Sequence, residues 1–299
     1  MELRPLRAWH RAGHCLTQPG DKILVTTPVY PPFLNVPNRT GKIFVASSLK
    51  TVNGRFVMDY DDLEEKAKDC KVMILANPHN PGGTVWTREE LQRVAEICYR
   101  QHTLVIADEI HADLTFPPYH HTSFPTVCEE ARENCIMFMA PSKTFNMAGL
   151  SSSVAYVPNE QIRKQFFGFL DHNELSLGNI FAFIGAEAAF KYGDDWRKQL
   201  LQYLQGNIDF VEQYLTEKLP QVKMMRPEAS FLLWLDFSAL HLSQKELVHL
   251  LIHEAKVGLN NGVEYGTDGE GFMRLNIGTS RAKVQEALDR IAQAVATLN

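Results

Sequence analysis

Lys143 stands in the stretch Ala140-Pro141-Ser142-Lys143-Thr144-Phe145-Asn146-Met147-Ala148-Gly149-Leu150, directly after an apolar run at 135–139. That run reads as a buried strand, which puts the lysine where the strand ends. In a parallel α/β sheet the strand-end loops surround one crevice, and ligands bind there. An amine held on so rigid an element can be desolvated, its pKa lowered, and an imine formed with a carbonyl ligand. Other polar groups arrive at successive strand ends: Tyr30, Asn80, and Asp108 with His111. Each also has a plain structural use. Lys143 suits a solvated surface, Asn80 before Pro81-Gly82 a turn, and Asp108 a helix cap or a surface pair. Tyr30 suits core packing with its hydroxyl on backbone, and His111 a loop position with no task. Their shared place at strand ends favours convergence on one site.

The elements that must position these groups follow from short-range signals. Gly20-Asp21 introduces a β-branched strand at 22–26, and 27–33 reads as a strand-end loop whose prolines block helix and central strand alike. A strand is expected at 43–46, an Asn-Gly turn at 52–55, a helix at 61–68 and a strand at 71–76 that runs into Asn77-Pro78-His79-Asn80-Pro81-Gly82-Gly83-Thr84. Thr87 and Glu90 have capping-box spacing and open a helix to about Arg100. Strands at 103–107, 135–139 and 154–157 complete the run, whereas the first twenty residues, rich in Arg and His, show no clear period.

Strand, loop, helix and strand recur three times, which argues for a mainly parallel sheet with right-handed crossovers. From 160 to about 219 the pattern is helical. Strands at 231–235 and 272–276 then mix with helices at 244–255 and 282–298. The expected organisation is a large α/β domain over 1–195 and a smaller α+β domain over 196–299.

Composition narrows the function classes. A 299-residue chain with 45% hydrophobic and 22% charged residues can bury a large core. The net charge of −5 and the lack of a basic block argue against nucleic acid as partner. No apolar run is long enough to span a bilayer, and the opening residues lack the apolar centre of a secretory signal. Five cysteines, at 15, 70, 98, 128 and 135, have no paired spacing. They suit a reducing cytoplasm better than a disulfide framework or a zinc site.

Three stretches carry a resemblance: Asn-Pro-His-Asn-Pro-Gly at 77–82, Asp-Glu-Ile-His-Ala-Asp at 108–113 and Ser-Lys-Thr-Phe-Asn-Met-Ala-Gly-Leu at 142–150. In this order and at these spacings they resemble fold-type I pyridoxal 5'-phosphate (PLP) enzymes of the class I/II aminotransferase group. The Asp-Glu-Ile-His variant is most similar to the bacterial cystathionine or cysteine β-lyase subgroup, the MalY/PatB-type C–S lyases. Arg-Leu-Asn-Ile-Gly at 274–278 extends the likeness, which runs from about residue 20 to the C-terminus.

The resemblance implies an α/β fold: a mainly parallel, seven-stranded-type PLP-transferase large domain with a smaller C-terminal α+β domain. It implies that Lys143 holds PLP and serves as the base at the substrate Cα. Asp108 would pair with the pyridine nitrogen, Asn80 would donate to the phenolic oxygen with His111 nearby, Tyr30 would stack on the ring and Ser142 would contact the phosphate. Arg274 would clamp the substrate carboxylate, a task for a planar two-pronged donor. The glycine-rich stretch 262–271 would close over the substrate or form a plain hairpin. The implied activity is β-elimination from L-cystathionine or a cysteine S-conjugate, giving thiol, pyruvate and ammonia. The alternatives are an aminotransferase with the same residues, or a remnant that keeps the fold and binds PLP weakly.

Relatives carry a substantial segment before the Thr-Pro-Val-Tyr loop, including a helix N-terminus that cradles the phosphate. The chain is therefore expected to be incomplete at its N-terminus. Residue 151, an arginine in many relatives, is serine. A homodimer is implied, with 173–179 as an interface loop or a simple interhelix connection.

Overall fold

The computed structural model describes residues 8–175 and 178–298. A helix α1 (Ala8–Leu16) precedes strand β1 (Lys22–Thr27), helix α2 (Pro31–Arg39) and strand β2 (Ile43–Ser48). A hairpin of β3 (Lys50–Val52) and β4 (Arg55–Val57) turns on Asn53 and Gly54, both at positive φ (52° and 73°) as the Asn-Gly signal requires. Next come α3 (Tyr60–Ala67), β5 (Cys70–Ala76), α4 (Arg88–Arg100), β6 (Leu104–Asp108), α5 (Glu129–Glu133), β7 (Cys135–Met139) and β8 (Val154–Tyr156). Helices α6 (Glu160–His172), α7 (Ile180–Tyr192) and α8 (Asp194–Lys218) follow. The chain ends with β9 (Lys223–Met225), β10 (Leu232–Asp236), α9 (Gln244–His249), β11 (Asn260–Asn261), β12 (Phe272–Asn276) and α10 (Arg281–Ala296).

The main sheet has the order β2-β1-β5-β6-β7-β8; it is parallel except for the antiparallel edge strand β8. It therefore counts six strands among the described residues, against the seven of the expected class. Side chains alternate across it with the period of two that a pleated strand imposes. Leu24, Met73, Leu75, Val105, Ala107, Cys135 and Met137 share one core with residues of α3 and α4. Ile23, Val25, Val72, Ile74, Ile106, Ile136 and Phe138 share the other with α1, α2 and α6. Both faces are covered, which is why these strands read as unbroken apolar runs.

A second sheet, ordered β11-β12-β10-β9 and antiparallel throughout, packs with α8, α9 and α10 around a core of its own. Position 196 falls in the first turn of α8, whose Leu201, Leu204, Ile208, Val211 and Leu215 all enter this second core.

Three local expectations change. Prolines 31 and 32 open α2 instead of blocking it, because a helix's first turn has no partner for the missing N–H. Residues 8–16 form a helix whose Ala12, Cys15 and Leu16 sit against the main sheet; Arg11, Gly13 and His14 beside them hide the period in the sequence. The helix expected over 244–255 is α9 followed by a π-type turn at Leu250–Glu254. The capping box of α4 forms as expected, with Thr87 and Glu90 each bonding the other's backbone N–H.

Candidate active site

Tyr30, Asn80 and Lys143 follow β1, β5 and β7, and Asp108 closes β6; the strands β1, β5, β6 and β7 are neighbours in that order in the sheet. They meet with His111, Ser142 and Arg274 on the walls of one cavity of about 470 Å³. The second sheet supplies the opposite wall through Phe231, Leu232, Arg274 and Asn276. The structure thus brings together all seven residues singled out in the sequence.

Asp108 opens on the cavity but lies deep beneath the surface. Its Oδ1 accepts the Ile110 N–H at 3.1 Å. Burial raises its pKa from 3.8 to about 6, against the pull of that bond and of the Lys143 charge. Lys143 is half-buried, and no hydrogen bond ties its amine to another described residue. Burial first, then the nearby Arg274 charge, lower its pKa, while Asp108 raises it. The Tyr30 hydroxyl is pushed up to about 12 by burial and by Asp108, so it stays protonated; its ring meets Phe33 edge to face.

Arg274 projects from β12 into the cavity. Its Nη1 donates to Asn80 Oδ1 at 2.9 Å, its Nη2 to Asn260 Oδ1 at 2.8 Å, and the guanidinium lies 5.0 Å from the centre of the Tyr265 ring. Its Nε is buried without a partner among the described residues. Ser142 Oγ and Thr144 Oγ1, on either side of Lys143, are likewise buried and unpartnered among them. His111 is 5% exposed, and its Nδ1 lies 3.1 Å from Ser230 Oγ. Burial, with Lys143 and Arg274 adding to it, lowers the His111 pKa to about 3. The ring is neutral.

The stretch 262–271 is the loop that joins the antiparallel pair β11 and β12, as the hairpin alternative expects. It forms two 3₁₀ turns, Gly262–Tyr265 and Thr267–Gly269, pressed so closely together that a Cβ on Gly269 would lie 1.9 Å from the Gly262 oxygen. Asp268 accepts from Thr27 Oγ1 (2.6 Å) and Ser48 Oγ (3.0 Å), and Val29 N–H donates to the Tyr265 carbonyl at 2.8 Å. The stretch thereby clasps the loop that bears Tyr30. Sequence reasoning missed the roles of Asp268, Tyr265, Asn260 and Ser230; the partners of Asp268 and Ser230 lie 241 and 119 positions away along the chain. Part of the expected interface stretch 173–179 lies outside the described residues.

A doubly covered parallel sheet with a lysine and a carboxylate meeting at its strand ends defines a class. The family model for aminotransferase class I and II matches residues 8–291, and the chain belongs to that family. The match reaches further towards the N-terminus than the likeness read from about residue 20.

Cystathionine beta-lyase PatB of Bacillus subtilis is 41% identical over 286 residues, which is 95% of this chain and 74% of that protein. Protein MalY of Escherichia coli is 28% identical over 93% of the chain and 72% of its own length. Among solved structures, cystalysin from Treponema denticola, which contains a pyridoxal 5'-phosphate cofactor, superposes with a TM-score of 0.96 at 30% identity. The superposition covers all of this chain and 76% of cystalysin.

Proposed function

We propose that the protein is a PLP-dependent C–S β-lyase acting on L-cystathionine or a related cysteine S-conjugate. The observation that carries this reading is the meeting, in one cavity, of the Lys143 amine, the Asp108 carboxylate and the Arg274 fork. Relatives named as cystathionine beta-lyases at 41% and 32% identity support the substrate class.

The residues fit the cofactor. Asp108 is a half-buried carboxylate to which no cation among the described residues is bonded, a suitable partner for the protonated nitrogen of a pyridine ring. The orphaned hydroxyl of Ser142 can serve a phosphate oxygen, and Ser153 also lines the cavity. PLP, when bound, supplies an electron sink that acidifies the substrate's Cα–H.

Lys143 would hold the cofactor and would take the proton from the substrate Cα; its lowered pKa leaves more of it as free base. Arg274 receives the substrate carboxylate on its planar fork. Because Asn80 Oδ1 is taken by Arg274, the Asn80 amide turns its NH₂ towards the cavity, ready to donate to an anionic oxygen. Tyr30, which lines the cavity, would pack on the ring face. Loss of the Cα proton and of thiolate from Cβ leaves 2-aminoacrylate, which takes up water to give pyruvate and ammonia.

A second reading, aminotransferase, uses the same residues and is favoured by a solved PLP-bound putative aminotransferase from Clostridium difficile at 39% identity and a TM-score of 0.94. Incubation with cystathionine separates the two. Pyruvate released without a 2-oxo acid supports the lyase, and turnover that needs such an acceptor overturns it.

Several further assignments belong to this reading. The division between large and small domain falls between 195 and 196, in the first turn of α8. The five scattered free cysteines support a cytoplasmic location, and no helix among the described residues is long and apolar enough to cross a membrane. The enzyme acts as a homodimer: α7 leaves Ile180, Phe181, Phe183 and Ile184 between 59% and 69% exposed, an apolar face of the kind that partners cover. Sedimentation of Phe181→Asp against the parent tests this, and an unchanged parental monomer sinks it.

A further inference from the structure

Ser230 and His111 form a pair that neither the lysine chemistry nor the carboxylate clamp explains. Ser230 lies just before β10, at the crossing between the two sheets, and is 2% exposed. Its φ is +79°, in the region where an L side chain is strained. Neighbouring bonds hold it there. Its N–H donates to the Leu114 carbonyl at 2.9 Å, Glu228 and Ala229 N–H both donate to the Gly83 carbonyl at 3.0 Å, and Phe116 N–H donates to the Glu228 carbonyl at 2.9 Å. Backbone strain kept up by its surroundings marks a position with a task.

The task is at the ring of His111. Ser230 Oγ lies 3.1 Å from His111 Nδ1 and has no other partner among the described residues. A buried hydroxyl with one polar neighbour donates its hydrogen to it, because otherwise that hydrogen goes unused. Nδ1 then accepts, and the single proton of the neutral ring resides on Nε2. His111 lines the cavity, and its Nε2 has no hydrogen-bond partner among the described residues.

We propose that Ser230 is a positioning residue that fixes His111 in the Nε2–H form, so that the ring offers the cavity a hydrogen-bond donor for an anionic oxygen and not a base. The inference deepens the lyase reading and rests on it for the kinetic arm of the test only.

The test begins with cofactor-free protein labelled with ¹⁵N-histidine, His111 being assigned by its loss in His111→Phe. At neutral pH the parent is expected to show His111 protonated on Nε2 alone. Ser230→Gly and Ser230→Ala are expected to show a mixture of the two tautomers. Glycine takes a φ of +79° without strain, so Ser230→Gly should keep a Tm at or above the parent's. Its kcat on cystathionine should still fall roughly tenfold, the worth of one buried hydrogen bond. A parental His111 protonated on Nδ1 overturns the proposal, as does a Ser230→Gly that keeps both the parental tautomer and the parental kcat. A parent that does not turn over cystathionine fails the lyase reading, while the ¹⁵N spectra still decide the pair.

Discussion

Arg274 Nη1 sits 2.9 Å from Asn80 Oδ1, so a residue of the second sheet fixes the amide orientation of a residue in the first. The two sheets are thus joined by the groups that line the cavity. Arg274→Lys keeps the charge and loses the fork. It should raise KM for cystathionine about tenfold to a hundredfold, at roughly 1.5–3 kcal/mol for a bond to a charged group, with a smaller change in kcat. Steady-state kinetics on parent and variant check this, and an unchanged KM removes Arg274 from the carboxylate site.

Lys143→Ala should abolish covalent capture of the cofactor. Purified parent mixed with PLP should develop a visible absorption band that borohydride fixes to the protein. The variant should show only the spectrum of free PLP. A band surviving in the variant assigns the capture to another amine.

Asp108 sets a pH dependence with a definite sign. Its folded pKa, about 6, stands above the unfolded value of 3.8, so the folded cofactor-free protein binds the proton more tightly. Stability of the cofactor-free form therefore falls as pH rises from about 4 to 6 and stays lower above that window. Asp108→Asn removes this dependence and should stabilise the cofactor-free protein at pH 7 by up to roughly 3 kcal/mol, at 1.36 kcal/mol per pH unit. The same change should cut kcat severely, since a neutral amide cannot hold a cationic ring nitrogen. Urea titrations of both forms at pH 4 and pH 7 give the answer.

Asp268→Ala should loosen the clasp on the Tyr30 loop. Loss of the bonds from Thr27 and Ser48 should cost about 1–3 kcal/mol in urea titrations. It should also weaken PLP binding, because the loop bearing the stacking tyrosine is freed. Retention of parental PLP affinity would show that the loop holds its place without the clasp.

Much of this was legible in the sequence where the signal is local. The strand Cys135–Met139 and the helix Arg88–Arg100 keep the bounds read from apolar runs and a capping box. Tyr30, Asn80, Asp108 and Lys143 could be read because each stands at the end of its strand or in the loop just after it. The prolines at 31 and 32 misled because the same residue that breaks a helix interior starts one well. Ser230 and Asp268 were invisible for a different reason. Ser230 meets His111, 119 positions away, and Asp268 meets Thr27, 241 positions away, and no local pattern marks either meeting. The left-handed backbone of Ser230 is equally silent in a sequence, since serine carries no preference for it.

The order β1-β5-β6-β7 across the sheet has a consequence for how such a chain can vary. Neighbouring strands lie about 4.8 Å apart, so the four strand-end groups are spaced by the ladder itself. Inserting one residue inside any of these strands shifts its end by about 3.3 Å and turns every later side chain to the opposite face. Exchange of one apolar residue for another of like volume leaves the spacing intact. Length is therefore the quantity these strands must preserve, and insertions and deletions should be confined to the helical crossovers, where no site residue is counted from the ladder.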